Sequence, residues 1–495
     1  MSSTKAQAGL TNVTDVSVLN GVISWKGSNN GTDEIKYQNV VFILDLSQTA
    51  GDKTGYIISA LVEDSENPEE RFRLLLLATE SIPEELQQYR IGGLPSYLRP
   101  VKGKHDVDVV VSTKSGVGLS LQFWQVVLQP LWNLIDEVSS EVTDREALNV
   151  LITKDAQSVR EFAQSLHGSE SDNAVPKSRT IVLLSGDGGI VDLVNGGSHD
   201  APSTTEQRQL LLVLLPLGTG NALFNSLHKP LWTSEDGKTE EISPLVLGLR
   251  TLFNGVSANL PLFHASFPPG SRIVKFTPTG DPSGDDTPSD ALHLAKEEIQ
   301  VSHLYGAVVA SYGFHSSIVY ESDTPEYRVH GDKRFGMVAQ GLLRESHPYN
   351  AQVDIRHSSS SEWETIPGNE HTYVLLTPLS NLERTFTISP ASKPLDGKLR
   401  LVYFGTVGGE RTLDVMMKAY DGGKHVGLKW DDGHEVRYEE VDEVRVTILE
   451  EDERWRKVCI DGTTVDIPKG GQLSVRKEEK SGFQVLVDSR VLPSS

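Results

Sequence analysis

Apolar and polar positions along the chain change rhythm twice. From residue 1 to 103 they come in short alternating runs rich in Val, Ile and Tyr: "GVISWKG", "IKYQNVVFILDLS", "GYIISALVED" and "RFRLLLLATE". Alternation with period two marks strands covered on one face, so these runs predict a β-rich module. The next stretch, "SIPEELQQYRIGGL", sets Ser81 and Pro83 before paired glutamates and predicts a short helix.

From residue 104 the rhythm becomes strand, loop, helix. "HDVDVVVSTKSGVG" leads into "LSLQFWQVVLQPLWNLIDEV", "ALNVLITK" into "DAQSVREFAQSL", "RTIVLLSGDGG" into "IVDLVNG", and "RQLLLVLLPLGTG" into "NALFNSLH". Four such units predict a parallel sheet with helices on its faces. Strands buried on both sides need no alternation, which accounts for the continuous runs "TIVLLS" and "LLLVLLP". "SPLVLGLRTLFNG" is expected to close the domain as a helix ending at Gly255.

Beyond residue 257 strand signals return, from "SRIVKFTP" through "HEVRYEEVDEVRVTILE" to "GFQVLVDS", and predict an antiparallel sandwich. Two polar stretches, 279 to 290 and 357 to 370, are expected to be mobile loops. The fold class is thus α/β plus β. It divides into a β-rich amino-terminal module (1–103), a parallel-sheet nucleotide-binding domain (104–256) and a carboxy-terminal β-sandwich (257–495).

Composition narrows the possible partners. The 46 basic and 68 acidic residues give a net charge of -22, which repels nucleic acid and anionic surfaces. Any phosphate ligand must be held locally, by main-chain N–H groups and a few chosen cations. No apolar run is long enough for a membrane span and no secretory signal opens the chain. A cytoplasmic protein is therefore expected, free or peripheral on an intracellular membrane. The single cysteine, Cys459, excludes an intrachain disulfide, and the 14 histidines show no metal-binding spacing.

In open α/β sheets ligands sit beyond the carboxyl ends of the strands. Here those ends carry "STKSGVG" (112–118), "TKD" (153–155), "SGDGG" (185–189) and "LGTGN" (217–221). Three of the four are rich in Gly, Ser or Thr, so main-chain amides can approach an anion unobstructed. The spacing fits neither the dinucleotide fingerprint nor the GxxxxGK[ST] phosphate loop. Asp187 stands out, because a carboxylate among amides aimed at phosphate would repel the ligand. Either it binds a cation or takes a proton, or it turns away and caps the helix that starts at Gly188.

"SGDGGIVDLVNG" followed by "LPLGTGNAL" resembles the paired signature of the diacylglycerol kinase catalytic fold, most closely its sphingosine and ceramide kinase branch. "STKSGVG" is similar to that family's first loop, with Ser112 and Thr113 in place of Asn and Pro. "ASYGFHSSIVYES" and "EYRVHGDKRF" resemble a block shared by sphingosine and ceramide kinases, and "IDGTTVDIP" resembles the late D-G-E segment. The likeness runs in order over residues 105 to 490.

The resemblance implies an ATP-dependent lipid kinase in which Asp187 takes the proton of a lipid hydroxyl. It implies that Ser112, Lys114, Thr153, Ser185, Gly186, Gly188, Gly218, Thr219 and Gly220 line ATP. Arg328 and Arg334 match arginines that hold phosphates, and Asp461 matches an aspartate near the nucleotide. Mg2+ would arrive with ATP, and the acceptor would be a membrane lipid met by peripheral contact. "VLLTPLSNL" and "NLPLFHASF" would then line an acyl channel or simply pack the core. Ser317 and Val319 stand where the branch has aspartates for a sphingoid amine, which favours a neutral acceptor such as ceramide or diacylglycerol. Thr463 replaces the glutamate of D-G-E, and Asp192 is the acid that follows the GDG turn. A different class of reading is a catalytically weak lipid- or nucleotide-binding regulator of the same fold. A kinase of a soluble nucleotide such as NAD shares the GDG turn but not the β-rich tail.

Overall fold

The computed structural model describes residues 9–27, 31–48, 54–138, 147–155, 157–168, 178–197, 210–233, 241–278, 294–331, 333–357, 360, 362–479 and 481–492. The expected loop at 279 to 290 lies outside them. The chain divides into two units, Met1–Asn259 with Gly482–Ser495, and Leu260–Ser481.

The first unit is built around a six-stranded sheet. Strands Asn149–Ile152, His105–Val111, Ser178–Ser185, Leu210–Pro216 and Phe483–Val487 lie side by side and parallel, and Val256–Asn259 closes the edge antiparallel. The first of these strands in sequence is flanked by the second and the third, which puts a topological switch point between 105–111 and 178–185. All seven residues of Leu210–Pro216 are buried, as the unbroken apolar run predicts. The strand 483–487, expected in the carboxy-terminal domain, belongs to this sheet instead. Its apolar run suits either sheet, and pairing with 210–216 and 256–259 decides the matter.

The amino-terminal strands form a five-stranded sheet and a three-stranded one, with a 3-10 helix at Glu84–Tyr89 where a short helix is expected. They do not stand apart as the 103/104 boundary implies. Every residue of Val40–Asp45 is buried. A register shift between Val40 and Phe42 lets Val41, Phe42 and Leu44 join one core with Val107, Val109, Trp124 and Leu249, while Val40 and Ile43 pack on Ile23, Trp25 and Ile35. One strand thus serves two cores, and residues 9 to 101 pack into the same unit as the parallel sheet.

The helix expected at 119 to 138 forms in three pieces, Ser120–Phe123, a π turn at Trp124–Leu128, and Gln129–Val138. Pro130 explains the π turn, since it has no N–H for the carbonyl four residues back and its ring crowds that carbonyl. The closing helix is Pro244–Asn254 with Gly255 at its end; Ser243 accepts from the Leu245 amide at its start.

His228 ties this helix to the loop cluster described below. Its Nδ1 donates to the Phe224 carbonyl at 2.9 Å and its Nε2 accepts from the Thr251 hydroxyl at 3.0 Å. Both nitrogens are committed in the neutral ring, and burial pushes its pKa down to about 4. The unfolded chain therefore takes up a proton near pH 6.5 that the folded chain refuses until about pH 4, and stability falls as pH drops through that window. Urea unfolding between pH 7 and pH 4 is expected to show a loss of roughly 3 kcal/mol from this group. His228→Gln should flatten that part of the profile.

In the second unit thirteen strands hydrogen-bond as one large, mainly antiparallel sheet. The twelve-residue strand Arg437–Ile448 pairs with Leu399–Gly405 through its first part and with Gln472–Lys477 through its second, and Tyr349–His357 runs along it. With Glu370–Thr377 these strands close a circuit of pairings. The polar stretch expected as a loop at 357 to 370 contains the strand Trp363–Thr365, paired with 354–356. Leu260, Leu262, Phe263, Val374, Leu375 and Leu376 are buried, so both apolar stretches contribute core. Four helices were not expected: Phe314–Ser322, Pro325–Arg328, Lys333–Glu345 and Gly409–Tyr420. Among the described residues no helix is long and apolar enough to cross a membrane.

Candidate functional site

At the carboxyl edge of the parallel sheet the three glycine loops meet main chain to main chain. A methyl group on Gly218 would lie 2.3 Å from the Gly186 Cα, and one on Gly116 would lie 2.6 Å from the Leu217 carbonyl oxygen. Gly116 also has φ +53, so this position needs glycine twice over. Ser115 fastens the first loop to the third strand, its hydroxyl 2.8 Å from that of Ser112 and 2.9 Å from that of Ser185. Thr153 closes the other side, accepting from the Thr113 amide at 3.0 Å. Ser112, Thr153, Ser185, Gly186, Gly188 and Gly218 to Gly220 are thus brought into one cluster, with Lys114 exposed on the first loop.

The turn 218–221 is held by Asn221, which adopts φ 50. Its side chain accepts from the Gly218 amide at 2.9 Å and donates to the Gly218 carbonyl at 2.8 Å. Asn225 donates to the Gly220 carbonyl at 2.9 Å. Neither asparagine nor Ser115 stood among the sequence-derived site residues. The readable signal was the Asn of "GTGN", since asparagine tolerates the left-handed region and bonds its own turn.

Asp187 opens the helix Asp187–Asn195 but does not cap it. Its carboxylate reaches across, Oδ2 accepting from the Ala222 amide at 2.7 Å and Oδ1 from the Leu223 amide at 3.1 Å. Burial pushes its pKa up, opposed by these two amides and its own. Two amides just past the 217–221 loop are therefore spent on Asp187, and Gly218 N–H is spent on Asn221. The amides of Gly188, Thr219 and Gly220 have no hydrogen-bond partner among the described residues. Each carboxylate oxygen keeps a second lone pair, so the side chain is oriented by the amides and still able to accept from a hydroxyl. Asp192 faces Arg160 at 3.7 Å.

Arg328, Arg334 and Asp461 lie in the 260–481 unit. Arg328 donates to Asp323 through Nε at 2.9 Å and Nη2 at 2.7 Å. The Arg334 Nε is buried without a partner among the described residues, its guanidinium 4.8 Å from the Phe335 ring. Asp461 has φ 47, and its carboxylate accepts from the amides of Ala307 at 2.6 Å, Val308 at 3.0 Å and Val309 at 2.6 Å. Three buried N–H groups on one carboxylate organise the turn between His303–Gly306 and Ala310–Gly313, a structural duty that the sequence did not announce.

Residues 128–245 match the family described as the diacylglycerol kinase catalytic domain. That stretch holds three of the parallel strands and both the GDG and GTGN loops. Three solved structures from Bacillus anthracis str. Sterne, all described as diacylglycerol kinases and two of them provisionally, are similar at lower levels. They are 16%, 15% and 15% identical, with TM-scores of 0.46, 0.43 and 0.45. Each comparison covers 78% of this chain, and 96%, 98% and 98% of the other. No curated protein sequence matches the chain.

Proposed function

We propose that the chain is an ATP-dependent lipid kinase that phosphorylates a hydroxyl of a sphingoid base, ceramide or diacylglycerol. The observation that carries this reading is the close meeting of three glycine loops beside a topological switch point, with the amides of Gly188, Thr219 and Gly220 unspent. Such amides suit the phosphates of a nucleotide in a protein whose surface charge repels polyanions. Lys114 supplies positive charge for the phosphates, and Ser112, Thr153 and Ser185 line the loops.

Asp187 holds the hydroxyl proton at a carboxylate oxygen, its orientation fixed by Ala222 and Leu223. Magnesium would arrive as part of the ATP substrate. When bound with ATP it would offset charge on the phosphates. Ser317, buried at 3% exposure, and Val319 offer no carboxylate to an ammonium, so a neutral acceptor is preferred within the class.

A second reading, a catalytically weak regulator that binds lipid or nucleotide, is favoured by the engagement of Asp187 with two amides and by Thr463. Purified protein with Mg-ATP and vesicles presenting sphingosine, ceramide or diacylglycerol separates the two. Radiolabel in one lipid above the Asp187→Asn control is the expected result. No label in any lipid above that control leaves the regulator.

A further inference from the structure

Away from the glycine loops, the first unit buries a cation that none of the chemistry above uses. Arg250, on the helix 244–254, is 8% exposed. Its Nε donates to the Val40 carbonyl at 2.8 Å, its Nη2 donates to the Gln38 carbonyl at 3.1 Å, and the guanidinium sits 4.3 Å from the Tyr89 ring centre. No carboxylate lies within ion-pair distance of it among the described residues, although buried arginines are ordinarily paired. Its third nitrogen, Nη1, has no partner among the described residues.

That guanidinium lines a cavity of about 190 Å3 whose wall includes Gln88, Tyr89, Ser489 and Arg490. Water takes up roughly 30 Å3 in the liquid, so there is room for a group several times larger. One carboxylate shares the wall, that of Asp488. It is spoken for: Oδ1 accepts from the Arg490 amide and Nε at 2.9 Å each, and Oδ2 accepts from Arg490 Nη2 at 2.8 Å. Among the described residues of the wall, two guanidinium groups face one carboxylate, an excess of positive charge inside a chain of net charge -22. The cavity lies beyond the carboxyl end of strand 483–487, the edge at which open α/β sheets take up ligands.

We propose that this cavity binds a small oxyanion of the phosphate class, either a free anion or the phosphate of a lipid head group, with Arg250 as its buried charge. The anion would supply the close counter-charge that Arg250 lacks among the described residues and would bridge the amino-terminal strands to the last parallel strand. The proposal is independent of the kinase reading, because none of these residues belongs to the glycine loops.

The test titrates inorganic phosphate into the full chain at fixed ionic strength, set with sodium chloride, and follows Tm. Wild type is expected to show a saturable rise. Ser489→Glu, at an exposed position on the rim, should weaken the apparent affinity at least roughly tenfold by placing a like charge beside the anion. Arg250→Gln should abolish the rise, and if that variant does not fold, Ser489→Glu still decides. Lys114→Glu, a charge reversal on the first glycine loop, should leave the response intact. A second arm floats the chain on phosphatidylcholine vesicles with and without phosphatidic acid. Flotation that Ser489→Glu abolishes, without a free-phosphate response, assigns the site to a head group. A response lost in Lys114→Glu and kept in Ser489→Glu, or insensitivity of both arms to Ser489→Glu, overturns the proposal.

Discussion

Asp187→Asn is expected to lower phosphoryl transfer to lipid by roughly 100- to 10,000-fold, the range of a positioned general base. The amide substitution keeps the shape and removes the proton acceptor. It also turns an N–H2 group toward one of the two main-chain amides that the carboxylate now serves, so one hydrogen bond of the clamp is lost. The removal of a buried charge offsets part of that loss. The fold should survive, and circular dichroism with Tm checks it.

The pH profile separates catalysis from clamping. Turnover needs the ionised carboxylate, so it falls as pH drops through the pKa of Asp187. Burial holds that pKa above the ordinary aspartate value, and the acid limb should therefore lie higher than that of an exposed aspartate. For stability the sign is opposite: the fold favours the protonated form, so the contribution of Asp187 weakens as pH rises through its folded pKa. Steady-state rates from pH 4 to 9 give the limb directly. A variant that keeps wild-type turnover, or wild-type rates without any acid limb, removes Asp187 from the chemistry and leaves it a clamp between two loops.

Gly218→Ala is the second large effect. The added methyl group would sit 2.3 Å from the Gly186 Cα and 2.9 Å from its nitrogen, and neither is the end of a flexible side chain. The two loops must separate, at a cost of about 1 to 3 kcal/mol, and ATP affinity should fall at least roughly tenfold as the cradle widens. Gly188→Ala provides the contrast. Nothing lies within 4 Å of its added methyl, and alanine is the better helix former, so its Tm should hold or rise slightly. If phosphates lie over the first turn of the 187–195 helix, Gly188→Ala loses nucleotide affinity without losing stability. Calorimetric titration with an ATP analogue reads both variants. Equal affinities in wild type and Gly218→Ala would place the nucleotide elsewhere.

What could be read from the sequence follows from how local each signal is. The parallel strands were legible because burial on both faces leaves an unbroken apolar run, and the loops because glycine is required where main chains touch. The fate of Asp187 was not legible, since its partners are the amides of Ala222 and Leu223, more than thirty positions away. The contacts of Asp461 were hidden in the same way, its three amides lying across a strand pairing that no local pattern encodes. The helices of the second unit were hidden by polar residues. In 333–345 only Val338 and Leu342 are buried, and in 409–420 only Thr412, Val415 and Ala419, stripes too narrow to stand out among strand-rich neighbours. Strand 483–487 was readable as a strand but not as a member of the first sheet, because membership is a matter of pairing over 270 positions of chain.

That late strand has a consequence for how the protein is made. Until the ribosome has released residue 487, strand 210–216 has nothing along one side, and its backbone donors and acceptors stand open as a template for another chain. The parallel sheet therefore cannot be completed in order of synthesis, and a nascent or shortened polypeptide ending before 482 carries a sticky border. That border stays open for as long as the intervening 222 residues, Leu260–Ser481, take to emerge.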